Sequence, residues 1–243
     1  MITVEEAKKI ILQNCKKGSS EFLGLEEAGG YVLSHKIRSP LNLPSFNQSS
    51  KDGYAFNYSD SFQDHSLHII GEVAAGARLN KKIKQGEAIR IFTGAELPAG
   101  TDTVIMQENA LRNEDELLLK GPALFRGAHV LKEGSQLKKG DLAFEAGAVL
   151  RPGEIGLLAA MGIQKVSVFS KPKINLLVTG NELLQPGEKL RKGKIYDANS
   201  WTLKAAVHAM GLNFQSVSFV KDEPSATKNA LAKALKSDRK SVV

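Results

Sequence analysis

The sequence predicts an α+β protein of several domains, and three observations predict it. Apolar residues at helical spacing follow a capping pattern near the N-terminus and recur after Pro152. From His65 to about Gly147 the texture is that of short strands, with Gly or Pro at the junctions. After Lys171, strand and helix patterns alternate. A chain of 243 residues has room for one large domain or two to three small ones.

In order, Thr3-Val4-Glu5-Glu6 is a capping-box pattern, in which the Thr hydroxyl accepts from the amide three residues on and Glu6 reaches back. Val4, Ala7, Ile10 and Ile11 then share one face of a helix that ends near Cys15. A short helical piece at Leu25–Ala28 stops at Gly29-Gly30, and Tyr31 to Ile37 leads toward Pro40. Leu43 to Ala55 is rich in Ser, Asn, Pro and Gly, and it reads as the loop around which the chain is organised. Its only acid is Asp52, and Asp52-Gly53 equally reads as a hairpin turn with a positive dihedral at the glycine.

Leu67–Ile70 and Ala88–Phe92 read as strands, while Val104–Glu108 and Glu116–Lys120 flank Asn113-Glu114-Asp115 as a hairpin. Pro152 at a first helical position, Glu154, Ile155, Leu157, Leu158 and then Gly162 mark a helix. Lys173–Val178 is a buried-type strand, Asn199 or Ser200 caps a helix running to Met210, and Phe214–Val220 is a second strand. Asp222 and Pro224 open a final helix through Leu235. Such units build a parallel sheet, and two strands cannot bury both its faces, so this α/β domain reads as incomplete.

Composition bounds the function. A 42% hydrophobic and 24% charged chain is ordinary for a soluble globular protein. The lone Cys15 excludes an internal disulfide and a Cys-based metal site, and the five His residues show no ligand spacing. No apolar run nears the roughly 20 residues that span a bilayer, and Met1–Glu6 lacks signal-peptide features, so the expectation is a cytoplasmic protein with no membrane partner. The net charge of +7 is spread over short Lys/Arg clusters without interleaved aromatics, which argues for a solvated face and against nucleic acid. A basic rim would also suit a small phosphate-bearing substrate. No Gly-x-Gly-x-x-Gly or Walker loop is present to support a generic nucleotide-binding α/β protein.

Five strings stand in fixed order: the Leu43–Ala55 loop, Ile89-Arg-Ile-Phe-Thr-Gly-Ala-Glu-Leu-Pro98, Thr103-Val-Ile-Met-Gln-Glu108, Thr179-Gly-Asn-Glu-Leu183 and Lys194-Ile-Tyr-Asp-Ala-Asn-Ser200. Together they resemble the molybdopterin molybdenumtransferase family (MoeA, with the gephyrin E domain as eukaryotic counterpart), from about Ile2 to about Leu235. The resemblance implies a discontinuous helical dimerisation domain at 1–38 and 145–168, an inserted β-rich domain at 39–144, and a partial molybdopterin-binding-like α/β domain at 169–243. It implies that the helix opening at Pro152 packs on the first helix. The family continues into a third strand, a Thr-Gly-Gly loop and a further β domain, and it forms an elongated homodimer with a shared active site.

The implied activity is insertion of molybdate into molybdopterin, which arrives adenylylated, with Mg2+ placed against phosphate oxygens by carboxylates. Asp52, Thr93, Glu182 and Asp222 match the family's catalytic positions, with Glu182 and Asp222 as Mg2+ ligands. Thr179, Gly180, Asn199 and Ser200 match its molybdopterin-binding positions. Each also has an ordinary role: a Gly turn after a strand is a common connection, and Asn199 or Ser200 serves as a helix cap.

The sequence departs from the family pattern at four places. The family has an acid at Asn47, Met at Lys51, Gly-Glu-Asp at Gly134-Ser135-Gln136, and Asp at Asn181. Gln136 is the costliest, because a neutral amide neither brings charge to a cation nor acts as a base. Lys51 adds a cation able to pair with Asp52. These departures keep open a second reading, a non-catalytic truncated relative that acts as a binding or assembly module.

Overall fold

The computed structural model describes residues 2–62 and 66–238. It is a mixed α+β structure with two compact units, one of residues 1–35, 147–156 and 164–243, the other of 36–146 and 157–163.

In the first unit the Val4–Asn14 helix begins with the expected capping box: the Glu6 amide donates to Thr3 Oγ1 at 3.2 Å and the Thr3 amide to Glu6 Oε2 at 2.7 Å. This helix buries none of its residues. The region is less helical than expected. Ser20–Gly24, Lys165–Phe169 and Val32–Leu33 form a three-stranded antiparallel sheet with Lys165–Phe169 in the middle. Val166 and Val168 point inward and Lys165 outward, a period-two pattern too short to stand out beside the helix before it. The Leu25–Ala28 helix packs on this sheet, and Gly30 turns the chain at φ 77°.

The α/β part follows. Ile174–Thr179 and Phe214–Val220 pair in parallel with Thr179 opposite Val220, and the Pro224–Asp238 helix packs on both. No residue of either strand is fully buried. The Asn199–Ala209 helix is capped differently from expectation. Asp197, not Asn199 or Ser200, accepts the Ser200 amide at 3.0 Å, because its carboxylate stands where the first free amides point.

The second unit is built on a six-stranded sheet with spatial order Thr103–Met106, Gly53–Phe56, Glu87–Ile91, Leu67–Val73, Glu116–Leu119, Ala110–Asn113. All its pairings are antiparallel except that of Leu67–Val73 with Glu87–Ile91. Two expectations are corrected here. The hairpin around Glu114 (φ 51°) joins Ala110–Asn113 to Glu116–Leu119, while Thr103–Met106 pairs with Gly53–Phe56. The organising loop, moreover, ends at Asp52, because Gly53–Phe56 is a fully buried interior strand.

Its alternate residues feed two cores. Tyr54 and Phe56 pack with Leu67, Ile69, Ala88, Ile105 and Leu117. Ala55 packs with Val73, Ile83, Ile89, Ile91, Ala95 and Val104. Gly53 is not a turn residue. A Cβ there would stand 1.8 Å from the Ile105 carbonyl oxygen, so only glycine lets the two strands approach.

Candidate functional site

Asp52 lies where the sheet leaves its core. Residues two apart on a strand share a face, and Tyr54 is registered opposite Arg90, so Phe56, Tyr54 and Asp52 run beside Ala88, Arg90 and Phe92. Phe56 and Ala88 are fully buried, whereas Asp52 is exposed. Asp52 Oδ1 accepts the Thr93 amide at 2.8 Å and the Thr93 hydroxyl at 2.7 Å. The amide, then the hydroxyl and to a smaller extent the Arg90 charge hold this carboxyl below the usual range. Oδ2 has no partner among the described residues. Thr93 itself sits on a tight turn, with the Ala95 amide on the Phe92 carbonyl at 3.0 Å and Gly94 at φ 83°.

Arg90 and Gln107 complete this arrangement. The Arg90 guanidinium donates to the Gly53 carbonyl at 3.1 Å and to Gln107 Oε1 at 2.5 Å, and it lies 5.2 Å from the Tyr54 ring centre and 4.9 Å from that of Phe92. The Gln107 amide donates to the Asp52 carbonyl at 3.1 Å. The sequence signal for Arg90 is a charge set among Ile89, Ile91 and Phe92 in a buried strand, a placement that demands partners. Lys51 forms no ion pair with Asp52; its carbonyl takes the Ser49 hydroxyl at 2.5 Å.

Asn47 Oδ1 accepts the Glu133 backbone amide at 2.9 Å, and the Gln136 backbone N–H, which any non-proline residue would offer, donates to the Leu43 carbonyl at 2.9 Å. Asn42 Nδ2 donates to Glu133 Oε1 at 2.6 Å, so this loop is tied to the segment that leads to Asp52.

The second cluster lies in the first unit, at the C-terminal ends of the parallel strands, where open sheets of this type bind ligands. Thr179 ends one strand and Gly180-Asn181-Glu182 follows it, Asp222 follows the other, and Asn181 Oδ1 accepts the Asp222 amide at 3.3 Å. Lys194 Nζ donates to the Asn181 carbonyl at 2.5 Å. Gly180 has φ 148°, and a Cβ on it would lie 2.8 Å from Leu183 Cγ and 3.2 Å from Glu182 Oε1. Thr179, Glu182 and Asp222 are exposed, and neither acid is in an ion pair among the described residues.

Ser200 is buried and its hydroxyl donates to Asp197, so the exposed side chain of the two at this helix start is Asn199. Among the described residues no group of three or more His, Cys, Asp or Glu could hold a metal. Glu182 and Asp222 therefore do not suit an all-protein cage.

Comparison with known proteins defines the class first. Residues 2–162 match the MoeA N-terminal region (domain I and II), and residues 175–243 match a probable molybdopterin binding domain. The chain belongs to the MoeA family. It is 34% identical over 205 residues to the molybdopterin molybdenumtransferase of Haemophilus influenzae, covering 84% of this chain and 51% of that protein. It is 32% identical over 245 residues to that of a Nostoc species, covering 97% and 56%.

A MoeA crystal structure from Pyrococcus horikoshii OT3 superposes with a TM-score of 0.85 at 32% identity, over 98% of this chain and 64% of that one. A second Pyrococcus MoeA structure gives 0.77 at 34% identity, over 97% and 61%. The chain thus spans about half the length of the curated relatives it matches. No helix among the described residues is long and apolar enough to cross a membrane.

Proposed function

We propose that this chain serves molybdenum cofactor biosynthesis at the molybdate-insertion step, acting on molybdopterin or adenylylated molybdopterin and molybdate as a cytoplasmic homodimer. The observation that carries this reading is the pair of family matches in series, 2–162 and 175–243, shared with relatives named molybdopterin molybdenumtransferase. Glu182 and Asp222 would hold Mg2+, which when bound neutralises phosphate charge. Thr179 offers a hydroxyl, Gly180 a turn without a side chain and Asn199 an amide at a helix start, and these groups suit an anionic ligand.

Asp52 has a narrower role than that of a strong base. A carboxylate held ionised by Thr93 is a weak proton acceptor at neutral pH, so its free Oδ2 is suited to orient a water or a substrate hydroxyl. The test is release of AMP from adenylylated molybdopterin by the purified chain with Mg2+ and molybdate. Metal-dependent AMP release that exceeds the protein-free control supports the reading, and release equal to that control rejects it.

A second reading, a non-catalytic binding module, is favoured by one feature. Asn47 and Asn181 stand where the family has acids, and both spend their side-chain oxygens on backbone amides. Saturable molybdopterin binding without AMP release would select this reading.

A further inference from the structure

We infer that Arg90 is the positioning residue for Asp52, fixing the direction in which the free carboxylate oxygen is presented; this rests on the catalytic reading of Asp52 given above. Asp52 is exposed, and its side chain is held on one oxygen only, by Thr93. Its aim therefore depends on how firmly three backbone segments are joined: the Asp52–Gly53 link, the Phe92–Ala95 turn and the residue after the Thr103–Met106 strand. Arg90 touches all three. It donates to the Gly53 carbonyl and to the Gln107 side chain, and it lies against Phe92, the residue before Thr93. Gln107 in turn donates its amide to the Asp52 carbonyl.

The guanidinium is itself held. The Tyr54 and Phe92 rings lie on the same sheet face, with Tyr54 registered opposite Arg90 and Phe92 two residues along, and both lie within cation–π range. A planar fork with several donors reaches two acceptors at once. A lysine ammonium at this position would be a flexible point donor without that geometry. Arg90 forms no ion pair among the described residues, so its charge serves carbonyl and amide oxygens and the nearby Asp52 carboxylate.

The test uses the full chain with Arg90→Met and Arg90→Lys, read by amide hydrogen exchange. Positioning through Arg90 predicts that the Thr93 amide exchanges about tenfold faster in Arg90→Met, the size expected when a hydrogen bond to a charged group is freed to open. Amides of Leu67–Val73 and Glu116–Leu119 should keep their protection, and Arg90→Lys should fail to restore Thr93. Unchanged Thr93 protection, equal loss across the whole sheet, or full rescue by Lys would each overturn the inference. A second arm measures AMP release. If the wild-type chain turns over, Arg90→Met should lower kcat more than it raises KM, and the reverse pattern would count against positioning. If the wild-type chain does not turn over, the catalytic reading of Asp52 fails, while Thr93 exchange still decides whether Arg90 orders this carboxylate.

Discussion

Asp52 takes both of its side-chain hydrogen bonds on a single oxygen, from the amide and hydroxyl of Thr93, and leaves the other oxygen open. An Asn at this position can still accept both of those bonds through its carbonyl oxygen, but it presents an NH2 group where the open carboxylate oxygen stood. Asp52→Asn is therefore expected to keep the melting temperature within a few degrees. AMP release should fall by roughly 10- to 100-fold, about what losing one orienting hydrogen bond to a charged group costs. Turnover equal to wild type would leave Asp52 as no more than the cap of the Phe92–Ala95 turn.

Gly53→Ala tests the fold beside the same residue. With a Cβ 1.8 Å from the Ile105 carbonyl oxygen, the Gly53–Phe56 and Thr103–Met106 strands must separate, and the residues between the two cores separate with them. The loss should exceed about 4 kcal/mol, in the range reserved for such disruptions of a packed interior. Denaturant unfolding with a loss near 1 kcal/mol, about that of an ordinary point substitution, would mean that the strands have room to shift.

The pH dependence has a definite sign. Asp52 is held below its usual pKa by Thr93, and Asp197 by the Ser200 hydroxyl and amide. A carboxyl whose folded pKa is depressed contributes stability that is present above the unfolded pKa of about 3.9 and is lost as pH falls through the folded value. Thermal melts should accordingly show these contributions intact from pH 7 down to pH 5 and declining below about pH 4. Any difference in melting temperature between wild type and Asp52→Asn should shrink in the same acid range. A difference that grows with acid would reverse the assignment.

Much of this was legible in the residues. The capping box at Thr3 and Glu6, the Phe214–Val220 strand and the helix opening at Pro224 follow from local pattern, because each is decided by neighbours in sequence. Gly53–Phe56 was not legible as a strand, since Asp-Gly signals a turn and only contact with Ile105 explains the glycine. The partner of Glu116–Leu119 was missed although its turn was found, because Ala110-Leu111-Arg112-Asn113 carries little of the β-branched pattern that made Val104–Glu108 stand out. Motif resemblance found Asp52 and Thr93 but not Arg90 or Gln107, whose roles appear only once two strands lie side by side. The Asp197 cap was overlooked because Asn199 and Ser200 offer the same chemistry two and three residues later.

The parallel strands give the last prediction. Every residue of Gly53–Phe56 is buried, whereas Ile174–Thr179 and Phe214–Val220 contain no fully buried residue, although the Pro224–Asp238 helix packs on both. Opening a segment exposes only the apolar surface it had buried, so the free energy of local opening should be much smaller at the parallel pair. Amides of Leu176 to Val178 should exchange at least about a hundredfold faster than those of Tyr54 and Ala55, since each factor of ten corresponds to only about 1.4 kcal/mol of opening free energy. Molybdopterin would act in the opposite direction. If it binds at Thr179, Gly180 and Asn199, ligand bound to the closed form alone should slow exchange in these strands in proportion to its saturation, with Tyr54 and Ala55 unaffected. Equal protection of the two sheets in the free chain would show that the parallel pair is held by more than its buried surface.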